Sequence, residues 1–217
     1  MGKSEEAKMT EREQELLSAA AAIDAACLEQ AAAAVAEGCR ELSCWAGIFS
    51  RRLKGVSSKE AHTFARALSL TMLGHLPARP ATCPFCIQYG RDRSCSGCGY
   101  AATHGRCDED TSAFSVFIEA FLELGRIIYQ DAEVRPVQMH EAAAILGESI
   151  SMAQARAGRM AEDVQELSPG QECRTMHLML LKAMYIEDMI GLLPFRLLSS
   201  EAMRGAQQVK DALRDYW

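Results

Sequence analysis

Apolar residues recur at intervals of three and four along most of the chain, interrupted by glycine, proline and short polar clusters. That period predicts a mainly α protein. Thr10 and Glu13 form a capping box that opens a first helix. Its alanine-rich continuation carries Leu16, Leu17, Ile23, Cys27, Leu28 and Val35 as a buried stripe and is predicted to stop at Gly38. A second helix, Cys39 to Lys54, places Leu42, Trp45, Ile48, Phe49 and Leu53 on one side, and Gly55 ends it. Ser57 and Glu60 make another capping box, for a helix through Phe64, Leu68 and Met72 to Gly74.

Pro77 and Pro80 then keep the chain extended. Helical periodicity resumes after Cys107, where Asp108, Asp110 and Thr111 are N-cap candidates for a strongly apolar helix through Phe114, Phe117, Phe121, Leu124 and Ile128. Pro136 suits the first turn of the next helix, Val137 to Leu167, which Ser168-Pro169-Gly170 breaks. Helices over 171–193 and from Ser199 or Ser200 to Trp217 complete the chain. The expectation is a helical bundle of about seven helices with a small metal-binding knuckle module inserted between the third and fourth. It divides the chain into N-terminal helices at 1–76, a cysteine-rich module at 77–107 and a C-terminal bundle at 108–217, with the first and last able to join in one compact domain.

The non-helical stretch holds five of the nine cysteines. Cys83 and Cys86 form one C-x2-C pair, Cys95 and Cys98 a second, and two such pairs supply the four thiolates a tetrahedral Zn²⁺ or Fe ion takes. Pro84 fixes φ just after the first thiol, while Gly97 and Gly99 bracket Cys98 where positive φ is expected. Cys107, with His104 three residues before it, is a possible additional ligand. Zinc is the leading expectation, with iron or an iron–sulfur cluster as the alternative cofactor and redox thiols third. The segment is too poor in apolar residues to pack by itself, so metal binding is expected to contribute its folding free energy.

Cys83-Pro84-Phe85-Cys86 and Cys95-Ser96-Gly97-Cys98-Gly99-Tyr100 resemble the cysteine knuckles of zinc-ribbon and rubredoxin-like proteins. The resemblance covers residues 83–100 alone and implies structural Zn²⁺ or electron-transferring iron on those four cysteines. Ile87 stands where the family has a glycine, and the spacer between the pairs is short for a ribbon hairpin, so a minimal knuckle-and-loop module is expected.

Net charge is −6, which argues against a general nucleic-acid binder. Its sign is uneven. Between Arg79 and Cys107 four arginines stand against one aspartate, a net +3, leaving −9 for the remainder. Arg91 and Arg93 with Tyr89 are therefore candidate interface residues for an acidic partner or nucleic acid. Arg51, Arg52, Lys54, Lys59 and Arg66 would serve phosphate contacts in a helix-turn-helix reading, although Lys54 occupies the place of the leucine that precedes the turn glycine. The charged N-terminus lacks the apolar core of a secretory signal and no run of 18 apolar residues occurs, so a cytoplasmic protein without a membrane partner is expected. Nine cysteines in a reducing compartment suit metal ligation and buried thiols better than disulfides.

Cys173 and His177, four apart with Met176 and Met179 beside them, could hold a soft ion, although methionine at helical spacing more often fills a core. Glu119 with Glu123, and Glu187 with Asp188, read as exposed helix faces before they read as acid–base pairs. His62, His75 and His140 stand apart from any nucleophile motif, and no P-loop, dinucleotide fingerprint or zinc-protease motif occurs. The expected function is therefore a partner-binding regulatory, adaptor or accessory protein stabilised by zinc. The alternatives are an iron or iron–sulfur redox protein or enzyme and, third, a DNA-binding regulator; a protein partner is favoured over nucleic acid.

Overall fold

Two helices of nearly thirty residues form the spine. In the computed structural model, which describes residues 11–90, 95, 97–167 and 173–216, α1 spans Glu11–Ala21, α2 Ala25–Leu53, α3 Ala61–Gly74, α4 Pro84–Tyr89, α5 Gly99–His104, α6 Ala113–Gln130, α7 Met139–Gln165, α8 Arg174–Gly191 and α9 Ser200–Tyr216. Single 3₁₀ turns occupy Pro80–Thr82 and Phe195–Leu197. Among the described residues there is no strand. The mainly α expectation holds, with two helices more than expected, both inside the cysteine-rich stretch.

Helix α2 lies along α7 in the most extensive contact of the molecule. The sequence reason is a matched pair of narrow stripes: Leu28, Ala31, Val35, Cys39, Leu42 and Ala46 on α2 face Ala142, Leu146, Ile150, Ala153, Ala157 and Met160 on α7, all buried. The alanines among them let the axes approach while the longer side chains fill the gaps between turns. Helices α6 and α9 make the second extensive pair, and α3 bridges to α6 and α7. Buried residues from α1 to α9 join in one continuous hydrophobic cluster. No single helix among the described residues is long and apolar enough to cross a membrane; α1 and α2 pass that test only together, bent by 95°.

The first boundary falls elsewhere than expected. The helix predicted to end at Gly38 breaks at residues 22–24 instead and then runs unbroken through Gly38 to Leu53. The break is held from outside: Asp24 N–H donates to Gln88 Oε1 at 2.7 Å, and Gln88 Nε2 donates to Ala22 O at 3.2 Å. One amide side chain thus satisfies an orphan carbonyl at the end of α1 and an orphan N–H at the start of α2. Gly38 has a different role, since a Cβ there would stand 3.4 Å from the His75 carbonyl, where the loop after α3 crosses α2.

Other ends shift for local reasons. Ser112, not the acidic run before it, caps α6 by accepting from Ser115 N–H at 3.1 Å. Glu60 accepts from Ser57 N–H at 3.0 Å and from Ser57 Oγ, but it is itself the N-cap residue of α3 and the Ser57 hydroxyl caps no helical N–H, so the expected capping box is only half formed. Pro136 precedes α7, which starts at Met139. Arg66, a candidate phosphate contact, donates to the carbonyls of Ile128 and Tyr129 and so closes the end of α6. Asp131, buried between α6 and α7, accepts Ser199 N–H at 2.8 Å and Glu133 N–H at 3.0 Å, with His62 Nε2 at 3.6 Å. Burial would push its carboxyl up, but those two N–H groups and His62 outweigh it and hold the group below its ordinary value.

Candidate metal centre

The cysteine-rich segment is folded into the core rather than hung outside it. After the 3₁₀ turn at Pro80–Thr82, Pro84 opens α4 at its first position, where proline's missing N–H costs nothing. Phe85 on α4 and Tyr100 on α5 are both buried, their rings 6.1 Å apart. Helix α4 packs on α2, and α5 on α1. The α1 contact explains Gly99: a Cβ there would lie 1.8 Å from Ala19 Cβ, so glycine is required for space. Gly97 is required for conformation, with φ +78° in the turn that Cys98 N–H closes onto Cys95 O at 3.0 Å. Cys95 itself stands at φ +51°, a left-handed position that costs a side-chain-bearing residue about 1–2 kcal/mol.

Cys83, Cys86, Cys95, Cys98 and Cys107 all line one small, largely enclosed cavity of ≈ 20 Å³, together with Phe85, Tyr100, Phe114 and Lys182. Cys83 precedes α4 and Cys86 lies in its first turn; Cys98 precedes α5 and Cys107 follows it. The approach of Cys86 is the first reason the Cys83 thiol is held well above its ordinary range, and that of Cys107 the first reason Cys86 is pushed up to about 12; burial adds to both. Burial also raises the Cys98 thiol. Opposing these effects, the N–H groups of Cys86 at Cys83 and of Tyr100 and Ala101 at Cys98 approach closely enough to favour a thiolate, short of hydrogen-bond geometry. As the side chains lie, no group of three or more His, Cys, Asp or Glu among the described residues is arranged to hold a metal ion.

Lys182 is the member that sequence reading missed. It comes from α8, is buried, and its Nζ donates to Thr82 O at 2.7 Å, one residue before Cys83. Burial pulls its ammonium below the ordinary lysine value, while Cys83 and Cys86 pull the other way. A single lysine in the run MHLMLLKAMYIEDMIGLL was the available signal.

His104 does not line the cavity. Its ring stacks on Tyr100 at 4.3 Å, and its Nδ1 lies 2.7 Å from Thr103 Oγ1. Arg91 and Arg93 lie outside the described residues, and Tyr89 is half-buried. Of the soft-ion candidates, Met179 is fully buried in the core with Sδ 3.7 Å from Lys182 Nζ, while Cys173 sits ahead of α8 at φ +64°. The buried Cys39 thiol, pushed up to about 11 chiefly by burial, faces the Tyr185 hydroxyl beneath Arg156.

Beside the thiol cavity runs an open groove of ≈ 540 Å³ between α2, α3 and residues 75–82. Val35, Leu70, Leu76 and Pro77 contribute apolar wall, Glu37, Glu41 and His75 polar wall. Trp45, expected on the buried side of its helix, is 44% exposed at the groove. Arg79 lines both the groove and the cavity, so the 77–82 segment separates them.

Comparison with protein-family models, with curated proteins and with solved structures finds no match in any of the three. The chemistry of the cavity therefore has to be argued from its own residues.

Proposed function

We propose that the thiol cavity is a structural zinc–thiolate centre and that the protein is a partner-binding accessory protein whose binding surface is the adjoining groove. The observation that carries this reading is the convergence of five thiols, four at or just before the starts of α4 and α5 and the fifth Cys107, on one cavity. Five cysteines gathered in an apolar core without a ligand would be a poor use of buried volume, since each thiol is only a weak hydrogen-bond group. A divalent ion takes four of them as thiolates at about 2.3 Å and releases their protons.

Cavity size favours a single ion. A volume of ≈ 20 Å³ is near that of one water-sized probe, roughly 10–15 Å³, and far below what an iron–sulfur cube fills. Cys107 is as well placed as any knuckle cysteine, through its contact with Cys86, so the four ligands are drawn from five. In function, the centre fixes the 77–82 segment, and that segment is one wall of the groove. Trp45 exposed beside an apolar wall is the feature of the groove that suits a protein partner.

The test is elemental analysis with a visible spectrum on protein purified without oxygen. One zinc per chain and no colour is the expected result, with chelation raising amide exchange first in residues 77–107. Iron with visible bands, or full-length protein that retains no metal and takes none up, overturns the zinc reading. For the groove, a photo-crosslinker at position 45 should yield a discrete adduct that weakens in C86S/C107S; adducts elsewhere on the surface but none at 45 would remove the groove from the proposal.

A further inference from the structure

We propose that Lys182 is the counter-ion of the metal–thiolate centre, a positioning residue whose buried amine stands in the wall of the same cavity as the five cysteines. This rests on the reading of the cavity as a metal–thiolate centre. Lysine is among the residues least often buried, because an isolated ammonium loses its hydration without compensation. Lys182 is 3% exposed. Its hydrogen bonds go to the neutral Thr82 carbonyl and to Met179 Sδ, and among the described residues no carboxylate pairs with it.

The groups that could supply negative charge are the cysteines it faces. Lys182 lines the same cavity as Cys83, Cys86, Cys95, Cys98 and Cys107. Four thiolates on a divalent ion leave a centre of charge −2 in a low-dielectric core, and one ammonium at its edge halves that charge. The placement is specific: the bond to Thr82 O spans 100 residues of sequence and fastens the ammonium next to the residue that begins the ligand segment.

A merely structural lysine, there to hold the Thr82 carbonyl, would behave differently on substitution. K182Q keeps an amide N–H for that carbonyl but removes the charge, K182M removes both, and K182R keeps the charge. Zinc affinity is read by competition with a chromophoric chelator on the full chain, the ligand field by Co²⁺ absorption, and the metal-free fold by thermal melting. The expected result is zinc binding weakened about tenfold or more in both K182Q and K182M, in the range of other outer groups that tune metal ligands, with shifted thiolate-to-cobalt bands and partial recovery in K182R. Metal-free K182M should melt no lower than wild type, because an uncompensated buried charge has been removed. K182Q binding zinc as tightly as wild type, or K182M lowering the metal-free melting point as much as the metal-bound one, overturns the counter-ion role. Wild-type protein that takes up neither zinc nor cobalt sinks the metal reading itself and the counter-ion with it, whereas a metal-binding wild type matched by K182Q sinks the counter-ion alone.

Discussion

Substituting Gly99 with alanine tests how the ligand segment is seated. The new Cβ would lie 1.8 Å from Ala19 Cβ and 3.2 Å from Ala19 Cα. Ordinary carbon contacts are about 3.5–4.0 Å, so α5 and α1 must part by roughly 1.5–2 Å at this point. Overpacking of this kind costs about 1–3 kcal/mol, and the gain in helix propensity at the first position of α5 returns at most about 1 kcal/mol. A net loss of about 1–2 kcal/mol is expected. The displacement also loosens Tyr100 and Cys98, which sit on either side of Gly99 and are both buried. Urea unfolding of G99A, A19G and the double variant measures the effect. A19G alone should cost about 1 kcal/mol for glycine inside a helix. In the double variant the clash is gone, so the two changes should couple favourably by about 1–2 kcal/mol. G99A as stable as wild type, or strict additivity of the pair, would refute the close approach of α5 to α1.

Three further outcomes follow from single interactions. Q88A removes both bonds that hold the 22–24 corner and should cost about 1–3 kcal/mol, with amide exchange at Asp24 rising well before that of α2; unchanged exchange there would show the corner is held by something else. D131N should lose about 1–3 kcal/mol at neutral pH, since its side-chain NH2 would face an N–H donor. Because the Asp131 carboxyl is held low in the native state, the wild-type advantage is complete above the unfolded value of about 3.9 and is lost as pH falls through the native one; a gap between the two proteins that stays constant from pH 7 to pH 2 refutes the assignment. Exposed Cys44 should be alkylated rapidly in the native protein, whereas Cys39, buried and raised to about 11, should resist until the protein unfolds, and mass spectrometry of the two peptides reads the order.

Helix class and the long α6, α7 and α8 were legible because each carries a complete apolar stripe with local stop signals. What the chain hid was set by partners distant in sequence. Ala22 to Asp24 contain no glycine or proline, and the corner there depends on Gln88, 64 residues away. Gly38 reads as a stop, yet α2 runs through it, beside the His75 carbonyl. The same ambiguity divides the two glycines around Cys98: positive φ at Gly97 was expected and is found, whereas Gly99 serves the contact with Ala19. The regular spacing of Cys83, Cys86, Cys95 and Cys98 marked the site, but spacing alone gives no position for Cys107. Nor could it place Lys182, whose bond to Thr82 crosses from another helix.

The pairing of α2 with α7 also governs what happens while the chain is being made. Eighty-five residues separate Leu53 from Met139, and at about 5–20 residues per second a ribosome needs roughly 4–17 s to supply them. A helix forms in about a microsecond, so the α7-facing stripe of α2 stands uncovered for about two fifths of synthesis. Gln88 and the ligand segment emerge midway through that interval, and they dock on the α1–α2 corner long before α7 arrives. The corner that Gln88 fastens is thus closed before the longest helix pair of the molecule can form.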